Sequence, residues 1–228
     1  MSMRAAFFDI DGTLTSERTW KGIMDYFTHN HLRRGMHLAF LGAHYPLYYL
    51  RRFGLISESA FRSPWAAHLA WYVRGYTPQE AEAIWDWVVK EFLSNHWRMD
   101  ARRLLDDHRT RGDPVMLVSA GPQPLLERIA REVGASHVVA TEFELREGCY
   151  TGHSLEPVCI DENKAALAKA YLDRRDIEVD FLASYAYADA ISDLHLLDMV
   201  GNPVAVYPDE ELGRVAKERG WKVFPADS

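Results

Sequence analysis

The stretch Ala5-Ala6-Phe7-Phe8-Asp9-Ile10-Asp11-Gly12-Thr13-Leu14 indicates how the whole chain folds. Its first four residues are a continuous apolar run, which is typical of a short strand buried on both faces. Two acidic residues, a glycine and a threonine come next, as expected of a polar loop at the carboxyl end of that strand. Ligands of open parallel sheets bind at this edge. Asp9 and Asp11 are therefore the first candidates for a functional site.

The same succession of an apolar run and a polar loop recurs along the chain, at residues 115–118, 181–188 and 203–206. Helical patterns separate these runs, at residues 124–133, 161–172 and 210–219, and two of these patterns end at a glycine. Alternation of this kind predicts an α/β fold, a Rossmann-like doubly wound parallel sheet with helices on both faces. Residues 143–151 additionally predict a small β-hairpin in the main domain.

Residues 17–95 interrupt the alternation, because they show helical periodicity and no convincing strand. Thr77 and Glu80 have the spacing of a helix N-cap with a capping box. We therefore predict an all-helical cap formed by residues 17–95, inserted into a catalytic core formed by residues 1–16 and 96–228. Six of the seven tryptophans fall in or just after this stretch and are expected to form the core of the cap rather than a ligand cage: Trp20, Trp65, Trp71, Trp85, Trp87 and Trp97.

Charge and composition exclude several classes of protein. The net charge of -7 argues against a nucleic-acid partner, which would require a basic face. The apolar run before Asp9 is too short for a secretory signal, and residues 36–50 are too few to span a bilayer, so we expect a cytoplasmic protein. Cys149 and Cys159 fit either two reduced thiols, which we favour, or one disulfide.

Residues with phosphoryl-transfer chemistry lie at or near the predicted strand ends: Asp9, Asp11, Ser119, Lys164, Asp189 and Asp193. Phosphoryl transfer needs a nucleophile, an acid that protonates the leaving oxygen, and cations and donors around the phosphoryl group. Asp9 and Asp189 can supply carboxylates for Mg²⁺, which prefers oxygen ligands. Lys164 supplies a fixed positive charge. Ser119 and the amides that follow it supply hydrogen-bond donors.

These motifs, taken in order, resemble those of the haloacid dehalogenase superfamily, in subfamily IB, which has a helical cap after the first motif and includes phosphoserine phosphatase. The first motif is Asp9-Ile10-Asp11-Gly12-Thr13-Leu14 and the second is the serine of Leu117-Val118-Ser119-Ala120. The third is the lysine of Asp161-Glu162-Asn163-Lys164, and the fourth is Asp189-Ala190-Ile191-Ser192-Asp193-Leu194. The resemblance covers nearly the whole chain.

The resemblance implies a role for each motif residue. Asp9 would be the nucleophile and a metal ligand, and Asp11 the general acid and base, with its backbone carbonyl on the metal. Asp189 would be the third metal ligand, and Asp193 would orient a metal-bound water or the lysine. The phosphate-binding residues would be Ser119, Lys164, Gly12 and Ala120. The expected cofactor is Mg²⁺.

The expected function is hydrolysis of a small phosphorylated metabolite through an aspartyl-phosphate. Two alternatives stay open, a phosphatase of lipid phosphates and a phosphotransferase to an acceptor other than water. Glu17 lies one residue out of register with the glutamate of phosphoserine phosphatases, so phosphoserine is not assigned as substrate. Arg62 and Arg74 are candidates for holding an anionic substrate. The aromatic residues between 40 and 50 leave membrane contact as a minor possibility, and the oligomeric state is open.

Overall fold

Six parallel strands form the main sheet in the computed structural model, which describes residues 2–226. The strand order is β3-β2-β1-β6-β7-β8, while β4 and β5 form a separate antiparallel hairpin. Ala6 in β1 pairs with Val115 in β2 on one side and with Tyr185 in β6 on the other, so these three strands end at the same edge. The strands are β1 Ala6–Phe8, β2 Val115–Pro122, β3 His137–Thr141, β4 Phe143–Arg146, β5 Cys149–Ser154, β6 Tyr185–Ala188, β7 Asn202–Val206 and β8 Lys222–Phe224.

Helices cover both faces of this sheet, as the sequence predicts for a doubly wound fold. Successive residues of β1 point to opposite faces, so Phe7 and Phe8 belong to different hydrophobic clusters. The Phe7 cluster contains residues of α7, α8 and α9, and the Phe8 cluster contains residues of α5 and α6. These helices are α5 Met99–Thr110, α6 Gln123–Val133, α7 Glu162–Arg174, α8 Leu194–Asp198 and α9 Glu210–Arg219.

Between β1 and α5 the secondary structure is helical. The α-helices of this helical insertion are α1 Thr19–His29, α2 Arg34–Arg52, α3 Glu58–His68 and α4 Pro78–Trp87, with shorter 3-10 or π turns at Leu69–Val73, Val88–Phe92 and Leu93–Asn95. The capping box at the start of α4 is confirmed, since Glu80 N donates to Thr77 Oγ1 at 3.2 Å and Thr77 N donates to Glu80 Oε2 at 2.8 Å. Each tryptophan of the predicted set is buried or packs on the core.

The two chain segments that join the insertion to the sheet are hydrogen-bonded to each other. Ser16 N donates to His96 O at 2.8 Å, and Arg98 N donates to Leu14 O at 2.9 Å. The apolar residues of the insertion also belong to the same hydrophobic cluster as Phe8 of the sheet. The insertion therefore packs onto the sheet through a common core.

The structure differs from the sequence interpretation at three strands. β3 and β8 were not predicted, and β6 is shorter than the apolar run that predicted it, because residues 181–183 form a turn and the strand begins at Tyr185. The hairpin predicted over residues 143–151 is present as β4 and β5, and Tyr150 of β5 also exchanges backbone hydrogen bonds with Gly75 and Tyr76 of the insertion. Cys149 and Cys159 are both free thiols. Over residues 2–226, no helix is long and apolar enough to cross a bilayer.

Candidate active site

The predicted site residues meet at the carboxyl edge of the sheet. Asp9 follows β1 and Asp189 follows β6, while Ser119 lies within β2. Lys164 is in the first turn of α7, and Asp193 ends the 3-10 turn Ile191–Asp193. All five side chains are buried. Because β1 lies between β2 and β6 in the sheet, residues distant in sequence converge there.

Lys164 joins two of the acids. Its Nζ lies 2.6 Å from Asp9 Oδ1 and 2.6 Å from Asp193 Oδ1. Burial alone would lower the pKa of Lys164, but the charges of Asp193 and Asp9 outweigh it, so the pKa is raised. The lysine is therefore a permanent cation beside the Asp9 carboxylate.

Three carboxylates form a compact acidic group. Oxygens of Asp9, Asp189 and Asp193 lie within 4.8 Å of one another. Thr13 Oγ1 donates to Asp9 Oδ2 at 3.2 Å and lies 3.5 Å from Asp189 Oδ1. Burial, followed by the charge of Asp9, raises the pKa of Asp189 to about 7. Burial also raises the pKa of Asp193.

The Asp11 carboxylate is turned towards the start of α1. Thr19 N donates to Asp11 Oδ1 at 2.8 Å, and Thr19 Oγ1 donates to Asp11 Oδ2 at 3.1 Å. These bonds cap the first turn of the helix and fix the carboxylate. Burial and the charge of Asp9 raise the pKa of Asp11 to about 6. A carboxyl group with this pKa can both give and accept a proton near neutral pH.

Position 12 requires a glycine for two reasons, its backbone conformation and the lack of space for a Cβ. Its φ of +102° lies in a region that residues with a Cβ rarely adopt. A Cβ at this position would overlap Asp189 Oδ2, and it would also approach the side chain of Arg18. Gly12 thus allows the first motif and Asp189 to pack against each other.

Ser119 and Ala120 lie just before the start of α6. Ser119 Oγ accepts a hydrogen bond from Gly121 N at 3.2 Å, and Thr141 Oγ1 donates to Ala120 O at 2.8 Å. The helix begins two residues after Gly121, so its free N–H groups and dipole favour an anion at this place. Both residues line the cavity described below.

Arg18 is a site residue that the sequence analysis missed. Its guanidinium donates to the backbone carbonyl of Asp11 and lies 3.3 Å from Asp189 Oδ2. The resemblance assigns these same two residues to the metal. The signal in the sequence was a basic residue between the first motif and the first helix, but its approach to Asp189 depends on the tertiary fold.

A cavity of about 990 Å³ extends from these acids to the helical insertion. Its volume is at the upper end of the ~300–1,000 Å³ typical of pockets for drug-sized ligands. Arg62 lines the cavity, with its guanidinium 3.4 Å from Asp161 Oδ1, whereas Arg74 is exposed and is absent from the lining. The insertion contributes an aromatic and apolar wall, made of Trp20, Met24, Leu41, Tyr45, Tyr48, Phe61, Trp65 and Leu69.

The acidic group suits a divalent cation. Asp9, Asp11, Asp189 and Asp193 lie close together, and burial, followed by the negative charge of Asp9, raises the pKa of Asp11 and of Asp189. Carboxylate oxygens are the ligands that Mg²⁺ prefers. Within residues 2–226, Asp9, Asp189 and Asp193 are also the only group of histidine, cysteine or acidic residues with suitable spacing for a metal.

The histidines of the insertion do not form a second metal site. His44 Nε2 lies 3.2 Å from His68 Nδ1, and His44 Nδ1 is bonded to Phe40 O. Both rings pack against Trp71, and His44 also packs against Trp65. They are packing residues.

Comparison with known proteins agrees with this geometry. The family model of haloacid dehalogenase-like hydrolases matches residues 6–198. A phosphoserine phosphatase of Mycobacterium tuberculosis is 28% identical over 96% of this chain and 70% of its own length. A histidinol-phosphatase of Neisseria meningitidis is 30% identical over 69% of this chain and 71% of its own length. The crystal structure of a Bordetella pertussis protein of unknown function matches with a TM-score of 0.84 and 25% identity, over 98% of both chains. This chain belongs to the haloacid dehalogenase-like hydrolases and is a phosphatase of that family.

Proposed function

We propose that the protein hydrolyses a phosphomonoester with Mg²⁺ and that the Asp9 carboxylate is the nucleophile. The observation that carries this proposal is the position of Asp9, buried at the base of the cavity between Lys164 and the acidic group. Lys164 places a positive charge 2.6 Å from the Asp9 carboxylate, and a carboxylate can attack phosphorus. The product of this attack is an aspartyl-phosphate on Asp9.

Asp11 is the proton carrier of both steps. A pKa of about 6 suits an acid that protonates the leaving oxygen and then, as a base, takes a proton from the attacking water. The two bonds from Thr19 hold the carboxyl group in one orientation during these transfers.

The remaining groups bind the phosphoryl oxygens and exclude water. Lys164, Ser119 and the amides at the start of α6 surround the place beside Asp9 where charge develops in the transition state. The aromatic wall of the insertion lines the same cavity and would help to exclude water from this place.

Mg²⁺ would be held by Asp9, Asp11 and Asp189, with Asp193 close by, and would neutralise the phosphate oxygens. Asp193 is paired with Lys164, which supports a role in orienting that lysine.

The related proteins do not indicate a single leaving group for this chain. Two of them have nearly equal identity to this chain, yet their names give different substrates, phosphoserine and histidinol phosphate. A small phosphorylated metabolite is the expectation from the sequence, with lipid phosphates as the alternative. The size and the aromatic wall of the cavity favour a larger, apolar leaving group.

The reaction is tested by phosphate release from a panel of phosphomonoesters, in Mg²⁺ and in chelator, with wild-type protein and Asp9→Asn. We expect release that needs Mg²⁺, is abolished in Asp9→Asn and is retained in Asp106→Asn, a matched change at an exposed aspartate of α5. Turnover by Asp9→Asn would refute Asp9 as nucleophile. Phosphorylated product in place of free phosphate, when alcohols are added, would favour the phosphotransferase alternative.

A further inference from the structure

Exposed apolar side chains are concentrated on one part of the helical insertion. Of the twelve large hydrophobic residues that are exposed among residues 2–226, seven lie between Leu32 and Leu55. Phe53 is 74% exposed and Leu38 is 68% exposed, and it is their grouping into one patch that is informative. We call the set formed by Leu38, Tyr45, Tyr49, Phe53 and Leu55 the α2 face.

The α2 face is a continuous stripe. Leu38, Tyr45 and Tyr49 are separated by seven and four residues in α2, and Phe53 follows four residues later, so all four point to the same side. Gly42 lies on this side as well, and no atom comes within 4 Å of the position that its Cβ would occupy. No part of residues 2–226 covers the stripe there.

The charge around the stripe is positive, although the chain as a whole carries -7. Residues 26–57 include no aspartate or glutamate, and they include an arginine pair at each end of α2. Arg34 and Arg52 are exposed, and neither forms an ion pair with the described residues. An apolar helix face flanked by unpaired arginines is complementary to an anionic lipid surface.

The same helix forms part of the wall of the active-site cavity. Leu41, Tyr45, Tyr48 and Arg51 line the cavity, and Tyr45 also belongs to the α2 face. An apolar and aromatic path therefore runs from the exposed side of α2 into the cavity whose base holds Asp9. Tyrosines at such a position are typical of the boundary between a bilayer and water.

We propose that the α2 face docks on an anionic bilayer and that the substrate is a lipid phosphomonoester taken from it, such as phosphatidate. This inference rests on the proposed phosphatase function and specifies its leaving group. The phosphate reaches Asp9, and the apolar part of the lipid lies along the wall formed by Tyr45, Tyr48 and the aromatic residues of α3. A small polar leaving group would leave this wall in contact with water.

The reaction is a hydrolysis. The Asp9 carboxylate forms a bond to phosphorus, the bond from phosphorus to the lipid oxygen breaks, and that oxygen takes the proton of Asp11. Water then attacks phosphorus and gives a proton to Asp11, while the bond from phosphorus to Asp9 breaks. This step releases inorganic phosphate and restores the Asp9 carboxylate. The products are the lipid alcohol and phosphate, and no other reactant is needed.

Docking is tested without catalysis, by co-sedimentation with vesicles of phosphatidylcholine alone or mixed with phosphatidylglycerol. We expect wild-type protein to bind the anionic vesicles only. Leu38→Glu/Phe53→Glu should weaken binding at least ~tenfold by removing apolar contact and adding repulsion. Arg34→Gln/Arg52→Gln should weaken it about fivefold for each arginine. Leu182→Glu is the matched control, since Leu182 is 83% exposed but lies outside the insertion, and its binding should equal that of wild type.

Turnover is then compared on two substrates, phosphatidate in anionic vesicles and p-nitrophenyl phosphate in water. Leu38→Glu/Phe53→Glu should lose at least ~tenfold on phosphatidate and retain wild-type turnover on the soluble ester. Equal turnover of phosphatidate by this variant and wild type would overturn the proposal. A second result would also overturn it. If analytical ultracentrifugation shows that wild type is a dimer and the variant a monomer, and neither protein binds vesicles, the α2 face joins two copies of the chain. If wild-type protein does not hydrolyse p-nitrophenyl phosphate, this result would count against the phosphatase function alone, since vesicle binding is measured separately.

Discussion

The sheet edge and the α2 face carry opposite arrangements of side chains. At the sheet edge, charged groups are buried and paired at short distances, as between Lys164 and Asp9. On the α2 face, large apolar groups such as Phe53 are exposed, and beside it Arg34 and Arg52 form no ion pair with any of residues 2–226. The buried ion pairs of the sheet edge determine the reaction, and few other residues could replace them. The exposed side chains of the α2 face determine what the protein docks on, so related chains are expected to differ there.

The largest expected effect comes from breaking the charge pairing of the sheet edge. Lys164→Met removes the cation between Asp9 and Asp193 and leaves two buried acids unpaired, which should cost about 3–5 kcal/mol of unfolding free energy. Turnover should fall at least ~10²-fold, because a charge that stabilises the transition state is lost. Urea unfolding and phosphate release measure the two losses. A variant as active as wild type would contradict the role of Lys164.

A second prediction concerns the fit at Gly12. Gly12→Ala places a Cβ where Asp189 lies and requires an unfavourable backbone conformation, so the acidic group must shift. We expect roughly 10²-fold lower turnover, since displacements of about 1 Å have effects of this size. Gly213→Ala in α9 is the control, because its Cβ would meet no atom closer than 3.8 Å. Equal activity of Gly12→Ala and the control would show that the close packing at Gly12 is dispensable.

Arg18 allows a finer test of the sheet edge. Its guanidinium lies on the Asp11 carbonyl and the Asp189 carboxylate, so it should compete with Mg²⁺ for these oxygens. Arg18→Gln should tighten Mg²⁺ binding, by at most about fivefold because the side chain is partly exposed. Isothermal titration calorimetry of the protein without substrate measures this affinity. Unchanged affinity with a raised KM would instead make Arg18 a substrate contact.

The smallest expected effect lies at His108, away from both regions. His108 is buried, with Nδ1 2.8 Å from Asp113 Oδ2 and Nε2 2.8 Å from the Tyr187 hydroxyl. Burial lowers the pKa of His108 below its ordinary value of 6.5, although Asp113 partly offsets this. Protonation therefore favours the unfolded chain, and the stability that neutral His108 contributes is complete above pH 6.5 and declines as the pH falls below it.

The measurement is the unfolding free energy in urea at pH 7.5 and pH 5.0, for wild type and His108→Gln. Asp11 and Asp189 also titrate in this range, so the difference between wild type and variant isolates His108. Wild type should lose more stability on acidification than the variant. An equal loss in both proteins would mean that His108 does not titrate between these pH values.

The two regions also differ in how far the sequence could predict them. The parallel fold follows from apolar runs such as residues 203–206, and α9 was predicted residue for residue, because its pattern is local and ends at Gly220. β8 was not predicted, since a three-residue edge strand has too short a pattern to be separated from a loop.

The residues of the site were predicted from motifs that occur in a fixed order along the chain. The parallel topology explains why these residues meet at one edge of the sheet. Arg18 and the Gly75–Tyr76 pairing with the hairpin could not be found in this way, because both depend on contacts between distant segments. Nor could the sequence distinguish Arg62, which lines the cavity, from Arg74, which does not.

The common core of the insertion and the sheet has a consequence for cooperativity. Val88, next to α4, and Leu126 of α6 belong to one hydrophobic cluster with Phe8, and Arg128 of α6 donates to Asp86 of α4 at 2.5 Å. Separation of the insertion would expose this cluster to water. We therefore expect one unfolding transition for the whole chain, seen alike by tryptophan fluorescence and by circular dichroism.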